Sequence, residues 1–150
     1  MTSLAFTVPG EVRGKGRPRL STRGGFARAY TDAKTASYEN LFAISAQTAM
    51  RDAGLAPQHF TGPVAVMLTA RLVPPASASK KARADMLAGR APPTKKPDAD
   101  NLAKTMDALN GVVWRDDAQV VSLLVRKIYA EAPGLDVVIR PYATFEENDW

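Results

Sequence analysis

The sequence predicts a small single α+β domain, and three observations predict it. Apolar runs of strand length recur at 4–9, 64–73, 119–129 and 135–142. Two longer segments, 32–53 and 98–110, carry their apolar residues at helical spacing instead. The whole chain is 150 residues, one domain's worth.

Each element has a local cause. Leu4 to Pro9 reads as a short strand closed by Pro9-Gly10. Residues 10–30 form a basic loop in which Gly14, Gly16, Gly24 and Gly25 bring turn chemistry. Thr31 or Asp32 caps the first helix, with Thr35 and Glu39 in its early turns. Tyr38, Leu41, Phe42, Ala46 and Ala49 line one face of that helix, and Gly54 stops it. Gly62-Pro63 precedes a β-branched run from Val64 to Val73, ended by Pro74-Pro75. Residues 74–97 form a long irregular or partly helical insertion, of a length that belongs to functional or disordered segments.

From Asp98 to Asn110 a second helix buries Leu102, Met106 and Leu109 at i, i+4 and i+7, and Asn110-Gly111 ends it. Val112 to Trp114 is a short apolar segment, Arg115-Asp116-Asp117 a turn, and Gln119 to Tyr129 a strand. Ala132-Pro133-Gly134 reverses the chain, so Leu135 to Tyr142 is expected as the antiparallel partner of that strand. Residues 145–150 are expected to be a flexible acidic tail.

Composition excludes several chemistries. Hydrophobic residues are 45% and charged residues 23%, an ordinary globular balance. Cysteine is absent, which removes disulfides, zinc–thiolate sites and a cysteine nucleophile. His59 is the single histidine, which removes multi-histidine metal sites and leaves Ser21 or Ser37 without a credible base. No apolar run reaches membrane-spanning length, and residues 1–10 do not have the pattern of a signal peptide. The expectation is a cytoplasmic protein with no membrane partner. Any catalysis must come from carboxylates, Lys/Arg, hydroxyls or a hard metal ion.

The net charge of +5 is unevenly spread. Residues 1–30 and 71–97 together hold 13 of the 20 basic residues and only 2 of the 15 acids. Residues 98–117 then carry Asp98, Asp100, Asp107, Asp116 and Asp117. Two basic segments around an acidic cluster fit nucleic-acid phosphates and a divalent cation, respectively. The phosphate contacts are assigned to Lys15, Arg17, Arg19, Arg23 and Arg28, and to Lys80, Lys81, Lys95 and Lys96.

Asp100, Lys104 and Asp107 are at i, i+4 and i+7 of the second helix and share a face. Asp98 stands at its N-cap or first turn. Carboxylates from this helix and from Asp116-Asp117 suit one or two Mg²⁺ ions, with Mn²⁺ as the alternative metal, acting on a phosphodiester. A lysine nearby suits the transition-state charge. By spacing alone, Asp98 is equally an N-cap, Asp100 and Lys104 an i,i+4 surface pair, and Asp116-Asp117 a turn. Trp114 reads as core or interface, with base stacking by Trp114 or Tyr30 as the other use.

Lys96-Pro97-Asp98-Ala99-Asp100-Asn101-Leu102, Lys104, Asp107-Ala108-Leu109-Asn110-Gly111 and Trp114-Arg115-Asp116-Asp117-Ala118-Gln119-Val120 closely resemble the signature of the RusA family of Holliday junction resolvases. Gly14-Lys15-Gly16-Arg17-Pro18-Arg19, followed by Tyr30-Thr31 and Thr35, resembles the family's basic loop and first helix. The resemblance runs in order over roughly residues 6 to 142.

It implies a Mg²⁺-dependent endodeoxyribonuclease, often of phage or prophage origin, that acts as a homodimer on four-way DNA junctions. It implies a mixed sheet packed with two main helices. It makes Asp98, Asp100 and Asp117 the essential carboxylates, Lys104 the catalytic lysine, and Asp116 a further metal ligand. One departure stands out. The family's acid on the second helix follows the lysine by four residues, whereas Asp107 follows Lys104 by three. On an α-helix that rotates Asp107 by about 100°. A non-catalytic or differently targeted branched-DNA-binding protein of phage origin is the alternative reading. The intact set of Asp98, Asp100, Lys104 and Asp117 argues against it.

Overall fold

Propensity and patterning produce six strands and three α-helices among the described residues: β1 (Leu4–Pro9), β2 (Arg19–Ser21), β3 (Arg28–Tyr30), α1 (Ala33–Asp52), β4 (Val64–Leu72), α2 (Lys80–Leu87), α3 (Ala99–Lys104), β5 (Val120–Tyr129) and β6 (Gly134–Pro141). Short 3₁₀ helices follow α3 at Thr105–Leu109 and precede β5 at Asp117–Gln119. The computed structural model describes residues 2–16, 19–22, 24–25, 28–30 and 33–143. The expected cap at Thr31 or Asp32 and the tail at 145–150 lie outside them.

The α+β class and the mixed sheet hold. The main sheet runs β1-β6-β4-β5, with β4 and β5 parallel and the other pairs antiparallel. The expected pairing of Leu135–Tyr142 with the 119–129 strand does not form. The chain does reverse at Pro133, but β6 passes β4 and inserts between β1 and β4. Burial explains the choice. Leu135, Val137 and Ile139 on β6 are fully buried, which suits an interior strand. No residue of β5 is fully buried, which suits an edge. Asp136 on β6 also ties both neighbours, accepting from Thr7 Oγ1 at 2.7 Å and from Arg71 Nε at 2.9 Å.

α1 buries Thr35, Tyr38, Phe42, Ala46 and Met50. Leu41, expected on that face, is 36% exposed instead, since the buried i, i+4 row runs through Tyr38 and Phe42. Gly54, at φ +72°, ends the helix with paired bonds: its N–H donates to Arg51 O, and Leu55 N–H donates to Met50 O. The basic loop is not all coil, since β2 and β3 pair within it as a small antiparallel ribbon. The insertion carries α2, capped by Ser79, whose hydroxyl accepts from Ala82 N–H at 3.1 Å. The expected pair of main helices therefore becomes three.

The second expected helix is also not continuous. It is α-helical over Ala99–Lys104 and then tightens to 3₁₀ over Thr105–Leu109. Its apolar stripe forms as expected, with Leu102, Met106 and Leu109 buried. Trp114 is core: it is fully buried and its Nε1 donates to Asn110 Oδ1 at 2.8 Å. His59 is exposed and packs edge-on to Phe60. No helix among the described residues is long and apolar enough to cross a membrane.

Trp114→Phe removes ring volume from a filled core and leaves Asn110 without its donor. The expected loss is about 1–3 kcal/mol of stability. It is measured by urea unfolding, with the midpoint lowered and the slope unchanged.

Candidate active site

Asp98 occupies the N-cap of α3 with extended backbone (φ −72°, ψ 148°), yet its side chain makes no capping hydrogen bond. The position expected from sequence is right, but the carboxylate is not spent on the helix. Asp100 lies in the first turn and Lys104 in the last. Lys104 Nζ is 4.0 Å from Asp100 Oδ2 and 3.4 Å from Asn101 Oδ1. Asp100 is 74% and Lys104 50% exposed at the side chain, so this long ion pair contributes little stability. Both groups face solvent, where a substrate can meet them.

The tightening at Thr105 changes where Asp107 points. Three α-helical residues after Lys104 turn the chain through about 300°. Three 3₁₀ residues turn it through about 360°. The short Lys104–Asp107 spacing is therefore largely offset by the winding. Asp107 comes beside Asp117, near enough to raise that carboxyl's pKa.

A compact cap presents Asp116 and Asp117. The Asp116 carboxylate accepts from Ala118 N–H at 3.2 Å at the start of the 3₁₀ turn. The Gln119 amide oxygen accepts from the N–H groups of Arg115 and Asp116, at 3.0 and 3.3 Å. Its Nε2 donates to Phe60 O at 2.8 Å and Gly62 O at 3.0 Å. The Ala118 N–H, together with the Asp117 carboxyl, holds Asp116 below the usual carboxylate range. Asp117 moves the other way. The neighbouring Asp107, burial and the adjacent Asp116 push its pKa up to about 6.

Lys15 joins this group from the basic loop. The loop is pressed against α3: a Cβ on Gly14 would lie 2.8 Å from Asn101 Cβ and 3.1 Å from Pro97 Cβ. Only glycine fits there. Lys15 N–H donates to Asn101 O at 2.9 Å, and Lys15 Nζ lies 2.8 Å from Glu39 Oε1 and 3.2 Å from Asp107 Oδ2. Glu39 first, then Asp107, raise the ammonium's pKa against the cost of burial. Lys15, expected from sequence as a phosphate contact, is paired here with Glu39 and Asp107 at the edge of the acidic site. Glu39 was not among the expected site residues. The available signal was its place one residue beyond Tyr38, on the rim of the buried face of α1.

The structure thus brings together Lys15, Glu39, Asp107, Asp116 and Asp117. Asp98, Asp100 and Lys104 stand along α3. From Asp98 to Asp107 the axis advances about 15 Å, too far for both to touch one ion. Among the described residues no group of three or more acidic or histidine side chains is arranged to hold a metal. The expected four-carboxylate set of Asp98, Asp100, Asp116 and Asp117 is therefore not gathered at one point. The donor chemistry still fits a hard divalent cation, which needs only one or two carboxylates and keeps its waters. Asp107 and Asp117 offer crowded oxygens, and Asp98 offers one not used in capping.

Beside Asp98 opens a cleft of about 850 Å³, lined in part by Arg13, Gly14, Lys95, Lys96 and Asn101. Lys80, Lys81, Lys95 and Lys96 are exposed. Two other basic residues of that segment are spent internally, Arg71 on Asp136 and Arg90 on Asp85. Arg17 and Arg23 lie outside the described residues. Arg19 and Arg28 lie on the β2–β3 ribbon.

Asp117 gives a pH prediction. Its folded pKa, about 6, is above the ordinary carboxylate value of 3.8. The folded state therefore binds more protons between those values, and this site's contribution to stability falls as pH rises from about 4 to 6. In EDTA, Asp117→Asn should melt higher than the parent at pH 7.5, with the difference shrinking as pH falls toward 4. Parallel thermal melts across that range check it.

Comparison with known proteins agrees with the motif. A family model described as endodeoxyribonuclease RusA matches residues 9–140. The uncharacterized protein YqaN of Bacillus subtilis (strain 168) is 37% identical over 148 residues, covering 93% of this chain and 97% of that protein. With the Asp98–Asp100–Lys104 helix and the Asp116–Asp117 cap both inside the matched span, the chain belongs to the RusA endodeoxyribonuclease family.

Proposed function

We propose that the protein is a Mg²⁺-dependent endonuclease that resolves four-way DNA junctions as a homodimer, by paired symmetric cuts. The observation that carries this reading is the crowded Asp107–Asp117 pair, in which Asp117 is pushed up to about 6. Negative charge held together at that cost is what a bound dication relieves.

When bound, Mg²⁺ supplies an activated water and stabilises the leaving oxygen of an in-line displacement. The chain's own residues do the rest. Asp98 and Asp100 at the start of α3, and Asp117 with Asp107 beyond its end, are the carboxylates available to the metal. Asp116 is used in capping the turn that presents Asp117. Lys104, exposed on the same helix, neutralises charge on the scissile phosphate. Lys15 holds Asp107 in place through its ion pair. Lys80, Lys81, Lys95 and Lys96, with Arg17, Arg19, Arg23 and Arg28, take the backbone phosphates of the arms and carry no sequence readout.

A second copy follows from the substrate. Resolving a four-way junction into two duplexes takes two symmetric cuts, and a twofold dimer presents two such sites in matching symmetry.

An end-labelled synthetic junction beside a matched linear duplex tests the reading. Paired nicks in the junction alone, present with Mg²⁺ and absent with EDTA, are the expected result. Asp100→Asn and Asp117→Asn should abolish cutting, a fall of at least about 10²-fold, while junction binding stays or tightens. Tight binding by the parent protein with no cut in Mg²⁺ or Mn²⁺ would replace the nuclease with a branched-DNA-binding protein. For the basic loop, Arg17→Ala and Arg19→Ala should each weaken junction binding and lower its salt slope by about 1. Binding measured from low to moderate salt checks this.

A further inference from the structure

Lys127 sits near the end of β5 and pairs across the ladder with Ala70 of β4, which is fully buried. Paired residues of a parallel ladder share a face, so Lys127 is directed to the core side of the sheet. A lysine there needs partners for its ammonium. It has two. Nζ donates to the carbonyl of Lys95 at 2.6 Å and to the carbonyl of Pro97 at 3.1 Å. Pro97 immediately precedes Asp98. The same segment is touched a second time from β5, where Lys95 Nζ lies 5.9 Å from the centre of the Tyr129 ring.

Asp98 itself makes no capping bond. The direction of its carboxylate therefore depends on the backbone that carries it, and that backbone is fastened by Lys127. Two of the ammonium's three N–H donors are taken by these carbonyl oxygens. We infer that Lys127 is a positioning residue: it sets Asp98 and the first turn of α3 for the cleavage reaction. The inference rests on the nuclease reading above for its catalytic consequence, though not for its structural one.

The test compares Lys127→Met, Lys127→Arg and the parent protein. For Lys127→Met the cleavage rate at saturating junction should fall about 10–100-fold, the loss typical of removing a group that orients a metal ligand. The Mg²⁺ concentration for half-maximal cutting should rise. Junction affinity and its salt slope should not change, because no phosphate contact is lost. Amide hydrogen exchange across residues 95–104 should quicken relative to the rest of the chain, since Leu102 N–H donates to Asp98 O at the first turn. Lys127→Arg, which keeps a charged donor, should recover part of the rate.

Parent-like cleavage by Lys127→Met overturns the inference. A flattened salt slope does so too, because it would make Lys127 a DNA contact. Should Lys127→Met not fold, Lys127→Gln takes its place, and failure of both to fold overturns the positioning role in favour of a purely structural one. If the parent protein cuts no branched DNA, the nuclease reading fails by itself. Hydrogen exchange then decides the structural part alone: unchanged exchange at 95–104 overturns the tie between Lys127 and the Asp98 segment, and faster exchange upholds that tie while the catalytic role falls with the nuclease reading.

Discussion

Thr105 marks the point on which the site turns. There the helix that carries Asp100 and Lys104 stops winding with 3.6 residues per turn and continues with three. The Thr105 hydroxyl, buried, donates to Leu102 O at 2.6 Å inside the change. Leu102 and Leu109 remain fully buried on either side of it, so the core is kept while the polar face is re-aimed. Because of that re-aiming Asp107 reaches Asp117 and Lys15. Lys15 in turn links to Glu39 on α1, and the acidic group is thereby tied to the helix that covers the sheet.

The elements of the fold were largely legible because their causes are local. β1, α1 and β4 begin and end within a residue or two of where apolar period, Pro-Pro and Gly54 place them. Strand order was not legible. The turn at Ala132-Pro133-Gly134 says that the chain reverses, but says nothing about which strand it will lie against. That was decided by burial along β6 and by the contacts of Asp136 with Thr7 and Arg71, which are distant in sequence. The break in the second helix was missed for a related reason. Met106 and Leu109, three residues apart, share a face under either winding, so their spacing does not discriminate between them.

The site was legible where chemistry is written in consecutive residues. Asp98, Asp100, Lys104, Asp116 and Asp117 could be named from the motif, and the structure puts Asp98 at a helix start and Asp116 in a cap. It was illegible where the contact is long-range. Lys15 and Asp107 are 92 positions apart, and nothing in a Gly-Arg loop announces that one of its cations will be held inside the acidic group. Glu39 reads as an ordinary helix-surface residue until Lys15 is placed beside it.

Gln119 has a consequence for which substitutions this fold tolerates. Its amide serves four backbone groups at once, accepting at the Arg115 and Asp116 end and donating at the Phe60 and Gly62 end. Glutamate, one atom different, would set an anionic oxygen against two carbonyls and add charge beside Asp116. An aliphatic residue of the same size would leave all four groups to find other partners. Position 119 is thus constrained in kind rather than in size. A change of a single nitrogen to oxygen there would unseat the turn that presents Asp117.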